Sequence, residues 1–327
     1  MRIGIVGCGL IGQKRAASAK GHKIVAVADI SKDRAAGLAA RINAKPLTDW
    51  RELIKLDLDA VIVATSHDTL AEISVAAVQC GKHVLVEKPA GRNLAELKSI
   101  ATAATAGNRI VKVGFNHRFH PALLKAREIC DSGVMGPMML VRGRYGHGGR
   151  PGMESEWRCK QELSGGGELI DQGSHLIDLS RWFLGDLALD YAYTPHLFWD
   201  IAVDDNCFLA LKAPGGQMAW LHASWTEWKN VFNLEIYGRD GKLTITGLGG
   251  SYGVEQLTFH RMLPEMGPPE TTTWEFPFPD TSWDRELENF ADAISNKVKA
   301  LGNIHDAVAV MTIVEKAYAC HNKYTTT

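Results

Sequence analysis

Asp171 and His175 stand four positions apart in a stretch whose pattern predicts a helix over about 168–184, so both side chains face one way. An imidazole titrates near neutral pH, and with a carboxylate beside it forms an acid–base pair. Lys88 is a third candidate. It follows a strand-like run at 83–86 and precedes Pro89, at the carboxyl edge where open α/β sheets bind ligands. An ammonium there can lower the pKa of a bound alcohol and reach a nicotinamide ribose. Removing a hydride from a secondary alcohol needs a base for the hydroxyl proton, a charge to steady the alkoxide, and a held nicotinamide. The competing readings are a solvated lysine and a helix-surface ion pair with a satisfied histidine.

The hydride acceptor has its own signature. Gly7, Cys8, Gly9, Leu10, Ile11 and Gly12 follow a strand-like run at 3–6 and open a helical pattern. In that context the glycines permit a tight turn and bring a pyrophosphate close to helix-terminal N–H groups. Asp29 ends the next strand 20 positions after Gly9 (29 − 9 = 20), where a carboxylate can accept from the adenosine ribose. That favours NAD, because the 2′-phosphate of NADP would meet a negative charge. Lys32 leaves room for NADP.

The elements that must position these residues fall into two blocks. Apolar runs at 3–6, 24–28, 60–64, 83–86 and 109–113 read as parallel strands buried on both faces. Helical spacing follows Ser31, Asp49 with Glu52, and Asn93 with Glu96, all good N-caps, and Gly81 and Gly107 mark helix stops. This βαβ rhythm predicts an α/β doubly wound Rossmann sheet over 1–119. Past Pro121 a helix over 122–132 is followed by alternating runs at 138–145, 206–212, 217–225, 232–237, 242–246 and 256–261, with Gly-rich turns between several. They predict an α+β domain over 120–327 with a large, mostly antiparallel open sheet, adjacent strands pairing as hairpins. Two helices, over 283–295 and 304–320, close the chain.

Three further segments complete the picture: Glu87, Lys88, Pro89; Gly114 to Phe119 with Asn116, His117 and Arg118; and the run Gly165, Gly166, Gly167, Glu168 leading to Asp171 and His175. In this order and spacing the chain resembles the Gfo/Idh/MocA oxidoreductases, which include glucose–fructose oxidoreductase and inositol dehydrogenases. The resemblance implies a C-terminal sheet packed across a homodimer or homotetramer interface, an active site between the domains, and oxidation or reduction of a secondary carbinol on a sugar, cyclitol or nucleotide-sugar. It gives Asp171 a substrate hydroxyl to accept or neighbours to orient, and makes Glu87 and Asn116 cofactor contacts. Thr65, Ser66 and His67 depart from the family's more usual Thr-Pro, so cofactor contacts there differ. Arg118, Tyr145, Trp157 and Arg158 complete the expected substrate wall with His147. An aromatic beside an arginine suits a sugar face plus an anionic group, a lean toward a nucleotide-linked or acidic sugar. An ordinary exposed loop is the other reading. His222, Trp225 and Trp228 read as interface or sheet packing. A non-catalytic NAD(P)-sensing regulator of the same fold is the alternative function.

Composition excludes other classes. The 36 Lys and Arg nearly cancel the 37 Asp and Glu without a basic run, so no nucleic-acid or membrane surface is expected. The 327 residues suit two domains, and 46% hydrophobic content supports a sizeable core. Six scattered cysteines form no C-x-x-C pair, so no metal is expected. With no leader pattern and no long apolar run, the expected compartment is the cytoplasm.

Overall fold

A computed structural model describes the backbone of residues 1–324 and side chains through residue 320; residues 325–327 of the second expected domain lie outside the described residues. The chain folds as two compact units. The first comprises Met1–Asn116, Glu162–Gly165 and Trp283–Ala309, and the second His117–Gln161, Gly166–Ser282 and the chain from Val310.

In the first unit β1 (Arg2–Val6), α1 (Leu10–Ser18), β2 (Lys23–Ala28), α2 (Lys32–Ile42), β3 (Lys45–Leu47), α3 (Trp50–Leu53), β4 (Ala60–Val63), α4 (His67–Gln79), β5 (His83–Val86), α5 (Leu94–Gly107) and β6 (Val111–Val113) alternate as the sequence pattern requires. The strands are parallel, in the order β3-β2-β1-β4-β5-β6. Order reverses beside β1, which creates a topological switch point at the carboxyl ends of β1 and β4. Continuous apolar runs form these strands because both faces are covered: Ile3, Ile5, Val27, Ile62 and Leu85 are fully buried. Ser31 caps α2 by accepting from the Arg34 N–H, and Asn93 caps α5 by accepting from Glu96 N–H. Gly107 proves to be the last residue of α5. The left-handed terminus is taken instead by Asn108 at φ 48°, a conformation asparagine tolerates. Strand β3 was not expected, since a three-residue edge strand holding Pro46 carries almost no pattern.

The second unit carries α6 (Pro121–Asp131), β7 (Met138–Gly146), a helical turn α7 (Gln161–Ser164) at its border, α8 (Ser174–Leu184), β8 (Ala188–Tyr193), β9 (Asn206–Lys212), β10 (Met218–Ser224), β11 (Val231–Gly238), β12 (Gly241–Thr246), β13 (Glu255–Arg261) and β14 (Glu270–Phe276). They form one eight-stranded sheet, β14-β13-β12-β11-β7-β10-β9-β8. Neighbours pair antiparallel as expected, with one exception. Strands β7 and β10 run parallel in the middle of the sheet, because the crossover through α8 leads to the edge strand β8 and the antiparallel run β8-β9-β10 then comes back inward to lie beside β7. Edge strands β8 and β14 were not anticipated; β14 is Thr-rich and mostly exposed, so it lacks the buried alternation that marks an inner strand. Helices α6 and α8 cover one sheet face. The other is open and presents Tyr191, Tyr193, Met218 and Trp220.

The chain closes with α9 (Ser282–Ile294) and α10 (Ile304–Tyr324). Helix α9 buries Leu287 and Phe290 in the core of the first unit. It also brings Glu286 to a fully buried guanidinium on α1: Arg15 Nη1 lies 2.6 Å from Glu286 Oε2, and Arg15 Nε lies 2.5 Å from Glu87 Oε1. The Trp283 ring covers the guanidinium at 4.4 Å. Removing one partner of a buried ion pair strands the other charge without water. Glu286→Ala is therefore expected to lower unfolding free energy by roughly 3–5 kcal/mol in urea titrations; a loss under about 0.5 kcal/mol, typical of surface changes, would refute the role given to this pair.

Candidate active site

The first unit offers a cradle for a dinucleotide. Gly7 sits at φ 96°, and a Cβ there would meet the Ala64 carbonyl oxygen at 2.3 Å. A Cβ on Gly12 would stand 1.8 Å from the Gly7 oxygen, so helix and strand meet too closely for any other residue. Gly9 is different. It is the N-cap of α1, no side chain caps the helix there, and open space surrounds its Cβ position. Uncapped first-turn amides over open space fit a pyrophosphate, so the residues present fit the nicotinamide dinucleotide the sequence predicts. Leu10 is exposed and Ile11 half-buried at this lip. Cys8 is buried, and burial pushes its thiol up to about 12, which makes it an inert packing residue.

Asp29 follows β2, and its carboxylate is tied to the loop: Oδ2 accepts from Cys8 N–H at 2.8 Å, and Oδ1 from Ser31 N–H at 2.8 Å and from Arg34. Burial would raise its pKa, but the hydrogen bonds from Arg34, Cys8 and Ser31 outweigh it and hold the group below the usual carboxylate range. After β4, Thr65 accepts from the Thr69 hydroxyl and Ser66 donates to Asp68. His67 is buried with Nδ1 at 2.8 Å from the Ser164 carbonyl, so in this unit it ties the loop to the 162–165 segment.

Lys88, half-buried, occupies a tight turn at the end of β5, closed by the Ala90 N–H donating to the Glu87 carbonyl. The side chain of Glu87 is what Arg15 grips, and so the turn that presents Lys88 is bolted to the glycine-loop helix. Gly114 explains itself here: its Cβ would stand 2.8 Å from Arg15 Nη2 and 2.9 Å from Glu87 Oε2. Asn116 ends the first unit, buried.

The second unit assembles the acid–base pair. The predicted helix opens as a π-helical turn, Leu169–Gly173, before α8 continues from Ser174. π-turns recur at functional sites, and since one holds more than four residues, Asp171 and His175 still share a face. The fully buried Asp204 fixes its entry, accepting from Gly167 N–H at 2.9 Å, Leu169 N–H at 2.8 Å and the Tyr318 hydroxyl at 2.8 Å. A Cβ on Gly167 would stand 1.9 Å from the Asp204 oxygen, and one on Gly166 2.1 Å from Tyr318 Oη. The glycine run is thus a steric demand of this anchor.

His175 is buried and stacks on His117, ring centroids 3.7 Å apart and planes 16° apart. His117 Nε2 lies 3.1 Å from Tyr145 Oη, Tyr145 packs on Tyr252 at 5.1 Å, and the Tyr252 hydroxyl accepts from Gln172 beside Asp171. Burial drives the Tyr145 phenol well above its ordinary range, so it stays protonated. Asp171 Oδ2 stands 3.6 Å from Arg158 Nε, and Arg158 also lies 4.0 Å from Glu156 and over the Trp157 ring at 4.6 Å. Arg150 pairs with Glu156 at 2.6 Å. His147 accepts the Gly149 N–H at Nδ1, and burial lowers its pKa toward the neutral form.

Of the expected wall, Tyr145, Trp157 and Arg158 therefore gather with Asp171 and His175. In the same unit the Arg118 guanidinium is clasped by both oxygens of buried Asp178, one turn after His175 on α8, at 2.6 and 2.8 Å. Trp225 is core, packed with Met153, Cys159 and Val203, while His222 stacks on Phe208 and Trp228 is exposed. Sequence reasoning missed the roles of His117, Tyr252, Asp204, Tyr318 and Arg34. His117 lay inside a quoted motif, and Arg34 in a helix's first turn two positions after Lys32; Asp204 and Tyr318 carried no local signal. Gly167→Ala should abolish activity and lower the thermal midpoint by several degrees, read by circular dichroism; full activity with an unchanged midpoint would contradict the anchor.

Among the described residues no helix is long and apolar enough to cross a membrane, and no group of three or more His, Cys, Asp or Glu is placed to hold a metal. Residues 1–115 match the model of an oxidoreductase family with an NAD-binding Rossmann fold, and residues 123–244 the GFO/IDH/MocA C-terminal domain. Inositol 2-dehydrogenase 2 of Saccharopolyspora erythraea is 33% identical over 261 residues, 77% of this chain and 72% of that protein. Levoglucosan dehydrogenase of Pseudarthrobacter phenanthrenivorans is 32% identical over 166 residues, 50% of this chain and 43% of that one. A solved levoglucosan dehydrogenase in complex with NADH shares the fold, with a TM-score of 0.88 at 23% identity over 98% of this chain and 97% of that chain. With both family models and a full dinucleotide cradle in place, this chain belongs to the Gfo/Idh/MocA family of NAD-binding oxidoreductases.

Proposed function

We propose that the protein interconverts a secondary carbinol and its ketone on a neutral sugar or cyclitol. One observation carries the neutral class: each guanidinium near Asp171 already faces a carboxylate, Arg150 on Glu156 and Arg158 on Glu156 and Asp171. Two cations and two anions leave this cluster without net charge, which supports a neutral ligand ahead of a nucleotide-linked or acidic sugar. The names of the relatives agree, since inositol and levoglucosan are uncharged.

In this reading the glycine loop from Gly7 to Gly12, Asp29, the 65–67 loop, Glu87, Lys88 and Asn116 bind the dinucleotide, which accepts or returns the hydride. The ammonium charge of Lys88 favours the alkoxide of the carbinol. His175 takes the hydroxyl proton, held in plane by His117, and returns it in the reverse direction. Asp171 accepts a substrate hydroxyl and exchanges Arg158 for it. Trp157 offers a face to the sugar ring, and Arg118 steadies α8 through Asp178. Purified protein screened with inositols, levoglucosan and related polyols, followed by nicotinamide absorbance with NAD and with NADP, tests the function. Lys88→Met and His175→Asn are each expected to cut kcat by about 10²–10⁴-fold while NAD binding persists. NAD binding with no turnover of any polyol or ketone would instead favour a cofactor-sensing regulator.

We also propose a homodimer or homotetramer joined through the open sheet face, supported by the exposed apolar residues there, and a cytoplasmic location, in keeping with six free cysteines. Trp220, 47% exposed at the centre of that face, is the residue to change. Trp220→Arg should reduce the mass measured by light scattering; an unaltered oligomer, or a monomeric parent, would remove this face as the interface.

A further inference from the structure

Three loops leave the eight-stranded sheet at the end where the acid–base pair stands. Gly146 at the end of β7 pairs with Ser224 at the end of β10 and with Val231 at the start of β11, and Ser224 pairs with Asn206 at the start of β9. One residue back on β7, the Tyr145 ring lies 6.4 Å from that of His175. The loops before β9 and after β10 bring together aromatic side chains to which the proposed chemistry gives no role. Phe198 and Trp228 pack edge to face at 4.9 Å and remain 60% and 68% exposed. Their places are fixed. Asp205 accepts from the N–H groups of Leu197, Phe198 and Trp199, and Trp199 Nε1 donates to the Trp225 carbonyl at 3.0 Å. Past β7 the chain runs beside them as a glycine pair: a Cβ on Gly148 would stand 3.1 Å from Trp228 Cα, and one on Gly149 2.5 Å from the Trp199 ring. The charges of Asp171 and Arg158 both reach His147, next to that pair, so the aromatic platform adjoins the expected sugar wall within one unit.

We propose that Phe198 and Trp228 form an outer subsite for a second sugar ring, so that the substrate is a disaccharide or similar glycoside reacting on one ring while the other stacks here. The C–H face of a pyranose is apolar and flat. Laid on an aromatic ring it leaves water, while its hydroxyls stay solvated at the rim. Size favours a sugar over a second protein surface: two part-exposed aromatics and Leu197 offer on the order of 300 Å², against roughly 800 Å² per partner in a stable interface. Because Asp205 already holds the platform, little ordering is left for binding to cost. The inference rests, for the reacting ring, on the carbinol reading of Asp171 and His175.

Calorimetric titration with NAD present, comparing glucose and galactose with cellobiose, maltose, trehalose and lactose, reads the subsite without requiring turnover. At least one disaccharide should bind about 10-fold or more tightly than its monosaccharide. Trp228→Ala and Phe198→Ala should each remove most of that advantage and change monosaccharide binding by less than about twofold, whereas Trp228→Tyr keeps a flat ring and should retain it. Both rings are exposed, so thermal midpoints should stay within about 2 °C of the parent. Disaccharides binding no better than monosaccharides, or an advantage untouched by either alanine variant, overturns the subsite and leaves the carbinol reading intact. A smaller mass of Trp228→Ala in light scattering also overturns it, giving the patch to a second copy of the chain. The expected binding ratio without turnover of any sugar or polyol leaves the stacking site standing and overturns the carbinol reading.

Discussion

One buried arginine ties the glycine-loop helix to the turn that carries Lys88 and to the returning helix α9. Arg15 leaves α1 a turn beyond the glycine loop, grips Glu87 beside Lys88 and takes Glu286 from α9, while Gly114 gives way beside it. A charge with no access to water tolerates little displacement, because each lost hydrogen bond costs the full desolvation of its partner. Burial raises the pKa of Glu87, against the opposing pull of Arg15, so the carboxylate depends on that guanidinium to remain ionised. Such a knot is poor value as stability and strong as geometry: replacing it with apolar groups could keep the fold and lose the placement of Lys88.

The second unit solves the same problem with a carboxylate. Asp204 is buried, and burial raises its pKa against the hydrogen bonds from Leu169, Tyr318 and Gly167. Those bonds take up the amides where the chain enters the π-turn, so the turn begins at a fixed place, and Asp171 and His175 follow from it. Around His175 the constraint is softer. A ring stack with His117 and the phenols of Tyr145 and Tyr252 restrict how the imidazole can rotate.

Much of this was legible in the sequence because it is written locally. The parallel strands announce themselves as apolar runs, Ser31 and Asn93 as caps, and the glycines at 7 and 12 as contacts too close for a side chain. The glycines at 165–167 were readable only as a motif. Their cause, Asp204 and Tyr318, lies 37 and 151 positions from Gly167, and nothing in either neighbourhood marks it. The return of α9 to the first unit was equally silent, since Glu286 resembles any helix-surface glutamate until Arg15 is beneath it. The parallel pairing of β7 with β10 escaped for another reason: alternation predicts a strand and its faces, never its partner.

Asp29 and Asp171, the carboxylates proposed to meet a ligand, share a feature that no motif contains. Each holds a partly exposed arginine contributed from a nearby turn, Arg34 at 2.9 Å and Arg158 at 3.6 Å. A bare carboxylate lining a polar site would draw protons and cations and would repel any anionic group of a ligand. Paired with a solvent-accessible guanidinium it stays ionised, and the pair can open for little, because water replaces what the arginine loses. A ligand hydroxyl can then exchange with Arg158 at Asp171, while at Asp29 it meets Oδ2, which accepts only from Cys8 N–H. The buried charges of the two units, Arg15 and Asp204, do the opposite and cannot be exchanged without collapse of the loops they hold. Fixed charges inside and exchangeable pairs at the rim are thus separate solutions to separate demands, and solvent exposure, more than residue type, decides which one a given ion pair serves.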